Sequence, residues 1–215
     1  MTAVSALHRI AKAPDSKGPR ITEDHRLARL VGFCFENVRN MREADLANVA
    51  WSLANLRYKD ADMMPALARE ATLKIGYMSV QGLSNLAWAF STLSIRSEGL
   101  FKAIAEESVS KIENFTPANL GMTAWAYSVA KVQHEDVLAA LIDETAKKVS
   151  AFSEQKIGHI CHSFRSLDRQ FEAGQLWAAW QQLQPEQQGV PFAKSQLQGQ
   201  RDTAHPGTEA AAGER

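Results

Sequence analysis

Cysteine is scarce in this chain, with two residues, Cys34 and Cys161, among 215. They lie far apart and neither belongs to a C-x-x-C pair, so no disulfide framework or cysteine-based zinc site follows, and a reducing compartment is the simple reading. Net charge is missing as well. Lys+Arg and Asp+Glu number 24 each. A protein that grips nucleic acid mainly by neutralising phosphates is usually clearly basic, so any RNA contact here must come from a localised basic edge or from polar and stacking contacts. The apolar runs are far too short to cross a bilayer. Phosphate-cradling, nucleophile-elbow and zinc-protease motifs (G-x-x-x-x-G-K-[ST], G-x-S-x-G, H-E-x-x-H) are all absent. These absences argue against an enzyme, and no cofactor or metal is expected.

What the chain has instead is one phrase said four times. It reads Leu46-Ala47-Asn48-Val49-Ala50-Trp51-Ser52-Leu53, then Leu83-Ser84-Asn85-Leu86-Ala87-Trp88-Ala89-Phe90, then Leu120-Gly121-Met122-Thr123-Ala124-Trp125-Ala126-Tyr127. It fades in Ile157-Gly158-His159-Ile160-Cys161-His162-Ser163-Phe164. Trp51, Trp88 and Trp125 are spaced by 37 residues, and the next step lands on His162. A fixed period of this size is the signature of a stacked repeat array.

Between the phrases a second apolar pattern keeps the same register. Leu27, Met64, Phe101 and Leu138 form one set, Leu30, Leu67, Ile104 and Leu141 the next. Val38, Ile75, Ile112 and Val149 make a third, and Met41, Met78, Phe115 and Phe152 a fourth. Within a unit these fall at helical spacing, as Leu27, Leu30, Val31, Cys34 and Val38 do, and nothing alternates as a half-buried strand would. Each unit therefore reads as two helices, A (the phrase) and B, of about 12 and 15 residues. Ser79, Thr116 and Ser153 stand where the N-cap of an A helix belongs, with Pro117 at a first helical position and Arg42 as the exception. The expected fold is all-α, an α-solenoid of two-helix repeats with a 37-residue period.

Domain organisation follows. Residues 1–25 form an N-terminal segment, either a transit peptide (Lys, Arg, Ser and Thr without an early acid) or a degraded repeat helix around Leu7 and Ile10. Residues 26–180 are the array, about three full units with partial caps, the last B helix surviving only as Leu176-Trp177-Ala178-Ala179-Trp180. Residues 181–215, rich in Gln, Pro, Gly, Ala and Glu, are expected to be a disordered tail.

The small residues Ala47, Ser84, Gly121 and Gly158 lie one turn before the aromatic, which is expected to leave room for the indole. Trp51, Trp88 and Trp125 accordingly read as structural wedges between repeats. Variable positions beside them are candidates for function. Asn48 and Ser52, then Asn85, Met122 and His159, make a ladder of changing side chains on a constant frame, the layout by which some helical-repeat proteins read one base per unit. Arg57, Lys59, Arg96 and Lys131, just after the A helices, are candidate phosphate contacts. His159, Cys161 and His162 include metal-capable groups but lack partner ligands at suitable spacing, and read as a decayed repeat. Glu106, Glu107, Asp143 and Glu144, set among lysines, read as a solvated charged face.

The phrase L-x-N-x-A-W-[SA]-[LFY], carried by Asn48/Trp51 and Asn85/Trp88, resembles the octotricopeptide and heptatricopeptide repeat families. These are organellar α-solenoids related to FAST-kinase-like proteins and to repeat subunits of kinetoplastid RNA-editing substrate-binding complexes. The unit length fits the heptatricopeptide form best, over roughly residues 27–167. Met122 departs from the Asn of the pattern, and the fourth unit lacks both Asn and Trp. The resemblance implies single-stranded RNA as partner, with other subunits of a ribonucleoprotein complex, in a mitochondrion or plastid, with the cytoplasm as the alternative; no membrane partner is expected. It implies work in transcript processing, stability, editing or ribosome assembly. Nothing here corresponds to the RAP module of longer relatives, so no nuclease function is carried over. The alternative is a protein–protein scaffold within such a complex, favoured by the zero net charge and the apolar third rung.

Overall fold

In the computed structural model, residues 2–14 and 19–183 are described; of the tail expected over 181–215, Gln181 and Gln182 are helical and residues 184–215 lie outside the described residues. The order is α1 (Ala3–Lys12), α2 (Pro19–Thr22), α3 (His25–Glu36), α4 (Glu43–Asn55), α5 (Met63–Leu73) and α6 (Val80–Thr92). There follow α7 (Glu98–Ser110), α8 (Pro117–Ala130), α9 (Glu135–Lys147), α10 (Glu154–Arg165) and α11 (Gln170–Gln182). The phrase helices α4, α6, α8 and α10 pack side by side in one row, and α3, α5, α7, α9 and α11 form the second. The molecule is an all-α solenoid of two-helix repeats. Among the described residues there is no strand.

The A row begins one helix earlier than the phrase does. α1 packs on α4 and α3, burying Leu7 and Ala11, so it occupies the place of an A helix ahead of the first phrase. Asn55 ties the two by donating from Nδ2 to the Ala11 carbonyl. At the other end α11 is a full helix, longer than the remnant expected from Leu176–Trp180. Its first half is polar and reads weakly as a helix, but Ala173, Leu176, Trp177 and Trp180 bury one continuous face.

The N-cap reading holds at all three places. The Ser79, Thr116 and Ser153 side chains accept from the backbone N–H of Gly82, Asn119 and Lys156. Thr116 and Asn119 complete a reciprocal capping box, and Arg42 makes no side-chain cap. The A helices also end alike. Arg57, Ser94, Lys131 and Asp168, one per unit, take φ of 57°, 53°, 52° and 62°. After each of them the next backbone N–H reaches five residues back: Tyr58 to Leu53, Ile95 to Phe90, Val132 to Tyr127 and Arg169 to Phe164. This is the Schellman ending, made here without glycine.

Each of α3, α5, α7 and α9 runs into a single 3-10 turn: Val38–Asn40, Ile75–Tyr77, Ile112–Asn114 and Val149–Ala151. The carbonyls there are held by a lysine of the following unit. Lys74 Nζ donates to the carbonyls of Arg39 (2.9 Å) and Met41 (2.6 Å). Lys111 does the same to Gly76 (3.0 Å) and Met78 (2.8 Å), and Lys148 to Glu113 and Phe115, both at 2.7 Å. Each lysine thus clamps the unit before its own. Glu107 pairs with Lys111 at 2.8 Å and Glu144 with Lys148 at 2.7 Å. Glu107 and Glu144 are therefore not part of a solvated face, unlike the exposed Glu106 and Asp143. Glu144 is buried, and hydrogen bonds from Lys148 and Lys147 hold its carboxyl below the usual range. The last unit closes differently: the Phe152 carbonyl, equivalent to those of Met41, Met78 and Phe115, accepts from Trp180 Nε1 at 2.9 Å.

Candidate nucleic-acid interface

A helix in the middle of the A row has a neighbour on either side and the B row beneath. Only a narrow stripe of it stays outside, and that decides which ladder residues are reachable. Asn48 and Asn85 are half-buried and His159 is exposed. Ser52 is buried, its Oγ donating to the Asn48 carbonyl at 2.6 Å and lying 3.4 Å from His8 Nδ1. Met122 is 2% exposed. Neither Ser52 nor Met122 has a surface to offer a base, Ser52 because α1 covers that side of α4. Asn85 is engaged too: its Oδ1 accepts from Gln81 Nε2 at 2.8 Å, and Gln81 Oε1 accepts from Asn119 Nδ2 at 3.0 Å. The ladder is thus three accessible rungs rather than a continuous reader.

The tryptophans lie along the same stripe. Trp51 and Trp88 are 7% and 3% exposed, and Trp125 is half-buried. The rings run in file, His8 to Trp51 at 5.0 Å between centroids and Trp51 to Trp88 at 6.4 Å with planes 31° apart. His8 takes the position of an aromatic rung in the helix ahead of the first phrase. Aromatic contacts of this kind add to the area they bury. The small residues do other work than making room for the indole. A Cβ built on Gly121 would meet no atom within 4 Å, and Ser84 Oγ lies 3.1 Å from Thr123 Oγ1, linking α6 to α8.

Arg57, Lys59, Arg96 and Lys131 are all exposed, on the A-to-B turns of three successive units. Arg57 and Lys131 share the left-handed position, and Lys59 and Arg96 share the one two residues on. Lys74, Lys111 and Lys148 are not available to phosphate in the same way, being committed to carbonyls at the other end of the units. The basic edge stops at the fourth unit, where Asp168 replaces the cation and Arg169 is paired with Glu135. Among the described residues no group of three or more His, Cys, Asp or Glu side chains, His159, Cys161 and His162 included, is placed to hold a metal ion. No helix among them is long and apolar enough to cross a membrane.

The fold defines a class, the stacked helical-repeat proteins. The model of the RNA-editing substrate-binding complex 6 protein family matches residues 25–172, and the chain belongs to that family. The match begins at α3 and runs into α11. No curated protein matches the chain.

Proposed function

We propose that this chain is a non-enzymatic heptatricopeptide-type subunit of a mitochondrial RNA-editing complex, and that it holds single-stranded RNA along the A-to-B edge. One observation carries the reading. Arg57, Lys59, Arg96 and Lys131 stand exposed on consecutive turns at matched repeat positions, in a chain with no surplus positive charge. Cations that recur on turn after turn suit a phosphate backbone, with sequence read at most at Asn48, Asn85 and His159. The family, by its description a component of an RNA-editing substrate-binding complex, supports the same setting.

Lys131→Gly tests this sharply. At φ of 52° a glycine relieves strain, so the variant is expected to be more stable than the wild type by about 1 kcal/mol in chemical denaturation. In the same variant, affinity for single-stranded RNA is expected to fall and the slope of log affinity against log salt to flatten by about one phosphate contact. A more stable protein with unchanged affinity and salt slope would remove Lys131 from the RNA edge. A second reading, a protein-binding scaffold, is favoured by a different observation: Tyr77 (82% exposed), Leu73 (72%), Phe33 and Phe35 stand out on the B row. Copurification of another subunit that is lost on Leu73→Ser/Tyr77→Ser, with RNA binding unchanged, would favour it.

A further inference from the structure

The aromatic file that runs down the A row closes at its first steps and opens at its last. His8 covers Trp51, and Trp51 covers Trp88, leaving both indoles buried. Trp125 packs on the core on one side but stays half-buried, and the next rung is the exposed imidazole of His162. The rung-to-rung joint also changes there. Between α6 and α8, three hydrogen bonds cross: Ser84 Oγ with Thr123 Oγ1 (3.1 Å), Ser91 Oγ to the Ala126 carbonyl (2.7 Å), and Asn119 Nδ2 to Gln81 Oε1 (3.0 Å).

One repeat later two of those pairs are lost by residue type and the third by the direction of its hydroxyl. Gly121 and Ile160 stand in for Ser84 and Thr123, and Ala118 and Lys156 for Gln81 and Asn119. Ser128 stands in for Ser91 and turns its hydroxyl back to the Trp125 carbonyl, 2.8 Å away. Gly121 sits four residues before Trp125, on the same side of the helix. The Cβ it lacks would meet nothing within 4 Å, whereas one on Gly82 would touch Ser79, Ala47 and Met78 at 3.5–3.8 Å. The joint between α8 and α10 therefore carries a flat aromatic surface beside open space.

We propose that this opening is a nucleobase-stacking site, in which one unpaired base of the RNA held by the neighbouring turns lies on the open part of Trp125, next to His162. The proposal rests on the RNA-binding reading above and adds to it a site and a mode of contact. Every base has a π-face, so such a site accepts any base, with His159 and His162 at its margin as the groups able to meet a base edge. Lys131, six residues after Trp125, lies just past the end of the same helix, so a phosphate there and a base at Trp125 belong to one short stretch of RNA. Trp51 and Trp88, covered by their neighbours, are structural and take no base.

The test uses the full chain and a fluorescein-labelled oligouridylate of about ten nucleotides at roughly 50 mM salt, read by anisotropy alongside the protein's own tryptophan emission. Gly121→Leu fills the open space without removing the indole, and by replacing a helix-interior glycine it should not lower the melting temperature. Expected is a loss of affinity of roughly five- to 100-fold in Gly121→Leu and in Trp125→Ala, with Trp125→Phe close to wild type but missing part of the RNA-induced quenching. Wild-type affinity in a folded Gly121→Leu protein would overturn the stacking site while leaving the RNA edge standing. Absence of salt-dependent binding by the wild type would overturn both.

Discussion

His8 shows how far a single residue's role depends on what folds over it. Its ring lies on Trp51 and its Nδ1 near Ser52 Oγ, so burial, with a smaller push from the Lys12 charge, holds its pKa below the ordinary histidine value. Above about pH 6.5 the ring is neutral in both folded and unfolded chains and the shift has no effect. As the pH falls below that, the unfolded chain takes up the proton first, and the folded state loses stability until the folded pKa is passed. Denaturation midpoints are therefore expected to fall between pH 7.5 and 5, and His8→Phe should remove part of that fall. Parallel pH profiles for the two proteins would mean that α1 does not hold His8 against Trp51. The two thiols respond to burial in the opposite sense, Cys34 pushed up to about 11 and Cys161 to about 12, which keeps both protonated and unreactive at neutral pH.

Among the elements, the lysine clamp is what joins one B helix to the next. Each ammonium satisfies two carbonyls at the end of the preceding unit, and the glutamate four residues earlier in two of the units keeps it in place. Lys111→Met keeps the aliphatic stem but leaves the Gly76 and Met78 carbonyls without this donor. It is expected to cost about 1–3 kcal/mol in chemical denaturation, as does losing hydrogen bonds to a charged group. A smaller loss in Lys111→Arg would show that it is the donor that matters, and no loss in Lys111→Met would reduce the clamp to a surface contact. The spacing Glu70/Lys74, Glu107/Lys111, Glu144/Lys148 was visible at the same period as the tryptophans. The spacing alone does not reveal the clamp, because glutamate and lysine four apart on a helix usually mark a solvated face and the accepting carbonyls lie 33 and 35 residues earlier. The full length of α11 escaped for a similar reason: its polar first turns become helical through packing on α9 and α10.

For the molecule as a whole, the consequence of a stack is that each unit is held mainly by its neighbours. Trp88 is buried in the middle of the A row with Trp51 on it, so Trp88→Ala is expected to lower stability by about 3–5 kcal/mol, measured by urea denaturation. Trp125→Ala, at the open joint, should cost clearly less. Equal losses would mean that the α8–α10 joint is as tightly packed as the others. The period alone settled the class: apolar positions recurring every 37 residues with helical spacing between them allow little other than stacked helix pairs, and residues that repeat are the ones that pack. Which varying positions face outward could not be read the same way. Asn48, Ser52, Asn85, Met122 and His159 look equivalent along the chain, yet α1 covers Ser52 and packing closes over Met122. Exposure in a two-row stack is set by the neighbouring helix rather than by the residue's own, and the open space beside Trp125 lies at Gly121, the position at which Ser84 in the preceding pair meets Thr123 through hydroxyls.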